Sequence, residues 1–286
     1  VRVLVVGGTG YVGQGVVPVL RDAGHEVSIL ARRKETIPGV EVIGGDGRVV
    51  DWRVPLQGTQ AVVNLVGIIR EHRSTESTFQ SVHVDLVKRL LAGMQSEGVS
   101  RLIQMSALGS RRDAVARYHQ TKWMAEEEIR RTEGLSFTIL RPSLVFGSGS
   151  PFFKTLGQLA GTPLGAMIPG SGDSRFDPVF RGDLAHMVLS VLEDTQGTVG
   201  ETFELGGPER WTLNGLVAHV AQVKKLGPVA QHHLPLAWLN RMARIGEGFS
   251  RFPVTVDQLT MLAEDNITED RRWHQYVEPT KLGIDL

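Results

Sequence analysis

The chain has no cysteine in its 286 residues. That removes disulfides, thiolate metal sites and cysteine nucleophiles from consideration, and it accords with a reducing interior. An excess of charge of either sign is also missing, because 31 Lys and Arg balance 31 Asp and Glu. Without a net field nothing draws in a polyanion, so no nucleic-acid partner is expected. No apolar run approaches the roughly 18 residues of a membrane-spanning helix. The first, Val3 to Val6, is short and leads straight into glycines, unlike a secretory leader. The expectation is a cytoplasmic or soluble protein. The nine histidines are scattered without the His-x-x-x-His spacing of a metal pair, so no metal site is expected.

What is present is an alternation. Short β-branched runs at 1–6, 25–30, 40–43, 61–66, 100–105 and 136–140 are nearly continuous in apolar residues, as strands covered on both faces are. Between several of them lie helical patterns: Val12–Ala23, in which Pro18 should cause strain; Thr78–Ser96, with Val82, Leu86, Leu90 and Met94 four apart; and Val115–Thr132. Strand, helix, strand in succession predicts an α/β fold with a parallel sheet and right-handed crossovers. After Arg141-Pro142 the composition shifts to Gly, Ser and Pro, which marks loops around a cleft or a domain seam. The expected division is therefore 1–142 and 143–286, with the helical run 182–194 packing back on the first part and a polar C-terminal arm. Asp183 reads as the N-cap of that run.

The stretch VRVLVVGGTGYVGQG puts Gly7, Gly8, Gly10 and Gly13 directly after the first strand, where the first helix begins. Glycines at 8, 10 and 13 and at 7, 10 and 13 both fit the spacing of a dinucleotide-binding turn, which lets backbone approach a pyrophosphate at a helix N-terminus. Tyr11 and Val12 complete that turn. An NAD-preferring site places an acid about 20 residues further on. Here Ala31 occupies the end of the second strand, followed by Arg32 and Arg33, whose guanidinium groups suit a 2′-phosphate. NADP(H) is the expected coenzyme, with NAD(H) as the other candidate. Asp46, just past the third strand, is placed either to bond the adenine amino group or to serve as a turn aspartate.

Within ARYHQTKWMAEEEIRR, Tyr118 and Lys122 are one helical turn apart on one face. A lysine beside a phenol can lower its pKa and make it a proton donor or acceptor near neutral pH. The other reading of this spacing is a surface pair.

Taken in order, GGTGYVG, YHQTK, RPSLVFG (141–147) and the FDPVF and GD segments of 176–183 resemble the extended or atypical short-chain dehydrogenase/reductases. NLVGI (64–68), FQSVHVDLVKRL (79–90), MSALGS (105–110) and FELGGPE (203–209) are similar to the accessory nucleotide-binding subunit of respiratory complex I and its bacterial homologues. This resemblance implies a Rossmann-type doubly wound sheet with a smaller C-terminal substrate-side domain. It implies Tyr118 as the proton-transfer phenol and Lys122 as the ribose-binding group that lowers the tyrosine pKa. Asn64 and Gly67 would line the ribose side, and Pro142 and Ser143 would lie near the nicotinamide amide. The family's catalytic hydroxyl falls on Ala107, with Ser106 one position early and Ser110 more distant; His83 stands where sugar epimerases carry asparagine.

Two functions are expected to compete. One is an NADP(H)-dependent oxidoreductase using Tyr118, Lys122 and Ser106 on a small or lipophilic carbonyl or alcohol. The other is a non-catalytic NADP(H)-binding accessory or assembly protein of a respiratory NADH dehydrogenase; a nucleotide-sugar epimerase is a third candidate. In 234–252, Leu239, Met242, Ile245, Phe249 and Phe252 recur at helical spacing, with Arg241, Arg244 and Arg251 off the stripe. This segment is either a packed helix or an apolar lip for a membrane surface or quinone-like substrate, which would put the protein at the inner face of the membrane.

Overall fold

The structure, a computed structural model, describes residues 1–32, 35–72, 75–246 and 255–283. The chain forms two compact units. One comprises Val1–Pro142, Arg181–Leu205 and Asp270–Glu278, the other Ser143–Phe180, Gly206–Glu269 and Pro279–Leu286.

The first unit is a seven-stranded sheet of β1 (Arg2–Val6), β2 (Glu26–Ala31), β3 (Glu41–Gly44), β4 (Ala61–Asn64), β5 (Arg101–Met105), β6 (Ser136–Pro142) and β7 (Thr202–Leu205). Their order across the sheet is β7-β6-β5-β4-β1-β2-β3, and every pairing is parallel. A parallel sheet needs cover on both faces, which the strands' apolar runs provide for. On one face Leu4, Val62 and Leu102 pack with Leu86, Leu90 and Met94 of α3 (Leu86–Ser96) and with Ala125 and Ile129 of α4 (Arg117–Arg131). The opposite side chains of β1, Val3 and Val5, are also fully buried. α1 (Gly13–Asp22) buries Val16, Val17 and Leu20 and packs against α5 (Arg181–Glu193). Only a four-residue helix, α2 (Arg53–Leu56), follows β3.

This is the Rossmann arrangement, in which the chain reverses its direction of travel between β1 and β4. The carboxyl ends of those two strands, Val6 and Asn64, pair across that switch point. A crevice must open there, because the connections leave the two strands toward opposite faces.

Several local expectations change. α1 runs through Pro18 without a break. The helix expected over 78–96 begins as a π-helical turn, Gln80–Asp85, before α3. Asp183 is in the first turn of α5 rather than capping it. The expected C-terminal arm is instead folded in: Trp273 is fully buried in a short turn of the first unit, and Leu282 enters the core of the second.

The second unit is centred on two packed helices, Pro151–Ala160 and Leu213–Val223, with Phe153, Leu156, Leu216 and Val217 between them. A parallel pair joins Ala166–Pro169 to Gln231–Leu234. Buried Asp177 holds this unit's loops together by accepting from Arg210 and from the Thr268 N–H. The 234–252 stripe forms helix Leu236–Gly246, on which Trp238 and Met242 are exposed. Phe249, Arg251 and Phe252, and the side chains of Arg244 and Ile245, lie outside what the structure describes. Among the described residues no helix is long and apolar enough to cross a membrane.

Candidate functional site

A groove of about 210 Å³ opens at the β1/β4 switch point. Its floor is the glycine turn. Gly7 has φ +84°, a conformation that favours glycine, and its carbonyl accepts the Gly10 N–H at 3.0 Å. At Gly13 an added Cβ would lie 2.3 Å from the Gly8 carbonyl oxygen, so only glycine lets α1 pass this close to the strand. Gly10 lines the groove, and a Cβ there would meet nothing nearer than the Gly7 oxygen at 3.2 Å. The turn is therefore a cradle that a side chain would partly fill. No acidic residue occupies the first turn of α1, which leaves its positive end to an anion. These features fit the diphosphate of a dinucleotide.

The far rim carries Ala31, Arg32, Asp46 and Arg48. Arg48 clamps Asp46 in a bidentate pair (2.6–3.1 Å) and donates to the Thr75 carbonyl at 3.0 Å. Its guanidinium, with a smaller contribution from Arg32, holds the Asp46 carboxyl below the usual range. Arg33 lies outside the described residues.

The opposite end is framed by the loop after β4; α4 stands behind that loop, and none of its residues, Tyr118 and Lys122 included, lines the groove. Lys122 Nζ donates to the Val66 and Met105 carbonyls at 3.2 and 3.1 Å. A Cβ on Gly67 would come within 3.0 Å of that nitrogen, so glycine there gives the lysine its room. Burial pushes the Lys122 ammonium down to about 8, partly offset by Glu126 one turn further along. Tyr118 sits among Phe79, His83 and His119, and burial pushes its phenol up to about 12. Burial is what moves this phenol, while the Lys122 ammonium is directed at two backbone carbonyls.

Ser106 departs most from expectation. Its N–H extends the β5–β6 pairing by donating to Leu140, and the Leu108 N–H continues to Pro142. Alternation along this extended stretch turns Ser106 and Ala107 to opposite sides. Ser106 Oγ donates to Glu126 Oε1 at 2.6 Å and accepts from Ser110 Oγ at 3.2 Å. Glu126 is fully buried, and its carboxylate also accepts from Arg141 (2.8 and 2.6 Å) and Arg130 (2.9 Å). The serine hydroxyl is consumed by this buried ionic cluster.

Gly7, Gly10, Arg32, Asp46 and Gly67 therefore line one groove. Gly13 lies behind it, and Val12 immediately precedes α1. Tyr11 is covered by the Arg181 guanidinium at 4.8 Å. Asn64 does not line the groove: its amide donates to Gln104 and its oxygen accepts the Val66 N–H, stapling β4 to β5. Pro142 is held in the β6–β7 pairing. Ser143 donates its hydroxyl to Asn266 within the second unit. Sequence reasoning passed over Arg48 and Glu126, although the i, i+4 spacing of Glu126 from Lys122 was a usable signal.

The NAD dependent epimerase/dehydratase family model matches residues 3–206. A curated relative is the mitochondrial NADH dehydrogenase [ubiquinone] 1 alpha subcomplex subunit 9 of Arabidopsis thaliana, 28% identical over 231 residues, covering 74% of this chain and 55% of the relative. Another is the N-acetyl-alpha-D-glucosaminyl-diphospho-ditrans,octacis-undecaprenol 4-epimerase of Escherichia coli O157:H7, at 25% identity, covering 77% of this chain and 72% of the relative. The chain spans 55–59% of the length of the mitochondrial subunits it matches. Among solved structures, the UDP-glucuronic acid 4-epimerase of Bacillus cereus with UDP-glucuronic acid and NAD superimposes with a TM-score of 0.75 at 16% identity, covering 100% of this chain and 96% of that one.

These findings overturn the expected NADP(H) preference. MoeE5 and the Bacillus cereus epimerase, both of this fold, were solved with NAD. The rim accords with the correction, since the Arg48 guanidinium is already engaged by Asp46 and the Thr75 carbonyl and is not free to take up a 2′-phosphate.

Proposed function

This chain belongs to the NAD dependent epimerase/dehydratase family, and from that premise we propose that it is an NAD-holding accessory protein of a respiratory NADH dehydrogenase, with little turnover of its own. NAD, when bound, supplies a hydride acceptor at its nicotinamide. The glycine turn and α1 would hold the diphosphate, the Asp46–Arg48 pair would bound the adenosine end, and Lys122 would face the second ribose across Gly67. The observation that carries the reading is the Ser106 hydroxyl, donated to Glu126 at 2.6 Å; the resemblance expects the family's hydroxyl at the next position, which is Ala107. A substrate carbonyl would lack that donor, and losing one such donor costs about 10²–10³ in rate. That mitochondrial NADH dehydrogenase [ubiquinone] 1 alpha subcomplex subunits 9 are among the relatives supports an association with such a complex.

A second reading is slow redox chemistry on a nucleotide-linked sugar or a lipophilic carbonyl. It is favoured by Tyr118 and Lys122 one turn apart on α4, with an amine at about 8. Stopped-flow absorbance of reduced nicotinamide separates the two. The NAD-loaded protein is mixed with UDP-glucuronic acid, UDP-glucose or a lipophilic alcohol, alongside Ala107→Ser. The accessory role requires no measurable reduction by the native protein; a gain in the variant of about 10²–10³ would show that the missing hydroxyl is what limits turnover. Native turnover in the ordinary enzymatic range of about 1–10³ s⁻¹ would overturn the accessory role.

A further inference from the structure

The loop leaving β4 forms one wall of the groove through Leu65, Val66, Gly67 and Ile68. Two side chains hold it from behind. Lys122 takes the Val66 carbonyl, and the Ile68 N–H donates to Nε2 of His83 at 3.1 Å. Because Nε2 accepts, the ring proton is on Nδ1 and is donated to Thr121 Oγ1 at 2.9 Å. That hydroxyl in turn donates to the Arg117 or Tyr118 carbonyl, each at 3.0 Å. Thr121 directly precedes Lys122, so one imidazole bridges the groove wall and the helix that carries the Tyr/Lys pair.

The ring is fixed in its plane as well. Phe79 stacks on it at 5.5 Å and 24°, and Tyr118 meets it in a T-shaped contact at 5.3 Å and 86°. His83 lies within the π-helical turn Gln80–Asp85, a rare widening that occurs frequently at functional sites. Burial and the nearby Lys122 cation keep the imidazole neutral, which preserves Nε2 as an acceptor.

We propose that His83 is a positioning residue: a neutral imidazole strut between Ile68 and Thr121 that sets the spacing between the dinucleotide groove and Tyr118/Lys122. This rests on reading the groove as an NAD site. Lys122 alone cannot set that spacing, because its Nζ also serves Met105 and its stem is flexible.

The test compares His83→Gln with His83→Phe. Glutamine carries one acceptor and one donor, about as far apart as the two ring nitrogens, and so can remake both bonds. Phenylalanine keeps the stacked ring and loses both. NAD affinity by calorimetry should fall about tenfold in H83F, from one unsatisfied buried N–H, and stay within about threefold of native in H83Q. A packing role would give the opposite order, with phenylalanine the better substitute. Native-like affinity in H83F, or an H83Q as weak as H83F, overturns the proposal. If H83F does not fold, Thr121→Val removes the other end of the strut and should weaken NAD in the same direction. Should the native protein bind no NAD, the cofactor reading fails while the strut is still decided by hydrogen exchange at the Ile68 amide. Faster exchange in H83F than in H83Q or native supports the strut, and equal exchange rejects it.

Discussion

Lys122 gives the sharpest quantitative handle. Its ammonium is buried, its hydrogen-bond acceptors among the described residues are the Val66 and Met105 carbonyls, and burial pushes its pKa from 10.5 down to about 8. Folding therefore costs free energy whenever the unfolded chain would carry that proton. Between the two values the unfolded state binds more protons than the native state, so stability must rise with pH. The gap from 10.5 to about 8 corresponds to roughly 3.4 kcal/mol at 1.36 kcal/mol per pH unit, of which about 2.4 kcal/mol falls between about pH 7.5 and pH 10. Stopping near pH 10 avoids Tyr118, whose raised pKa acts with the opposite sign above that point. The assay is urea unfolding of the native protein and Lys122→Met across this range without NAD. Other titrating groups are common to both proteins, so the stability difference between them isolates the lysine. It should move in favour of the native protein by about 2 kcal/mol as pH rises. A flat difference, or one of opposite sign, would refute the claim that this ammonium is desolvated.

Three other substitutions probe separate parts of the site. Gly13→Ala places a methyl 2.3 Å from the Gly8 oxygen. It should cost about 1–3 kcal/mol in thermal or urea unfolding and weaken NAD in titration; unchanged affinity would mean the turn does not hold the diphosphate. Glu126→Ala strips the buried partner of Arg141 and Arg130 and should destabilise by about 3–5 kcal/mol in urea, whereas a loss under about 1 kcal/mol would show the cluster to be solvated. Gly67→Ala crowds Lys122 Nζ at 3.0 Å. It should lower NAD affinity by about tenfold while changing unfolding little, and an equal loss of both would assign Gly67 to folding alone.

Six of the sheet's seven strands were legible because most are nearly unbroken apolar runs with helical periods between several of them; β7, with the alternating sequence TFEL, lies beyond the composition shift and carries no such signal. The glycine turn was legible because Gly7 and Gly13 answer backbone demands that no other residue meets. The coenzyme's identity was not. Ala31-Arg32-Arg33 announces basic charge, but its meaning depends on Asp46 and Arg48, which join the same rim only after folding. The fate of Ser106 was hidden for a similar reason. The count along β5 put it one position off the expected hydroxyl, but its partner Glu126 is twenty residues away in sequence. The π-helical turn left no mark in the four-residue spacing of Val82 and Leu86, which α3 simply continues. Trp273 in a polar C-terminal stretch signalled nothing by periodicity, and only the fold of the first unit provides its burial.

The most direct measurement is calorimetric titration of the purified protein with NAD and with NADP, followed by crystallisation with the tighter coenzyme. One NAD per chain, bound more tightly than NADP, with its diphosphate over Gly7 and Gly10, is the expected result. No heat with NAD, together with an empty groove in crystals grown in excess coenzyme, would contradict it.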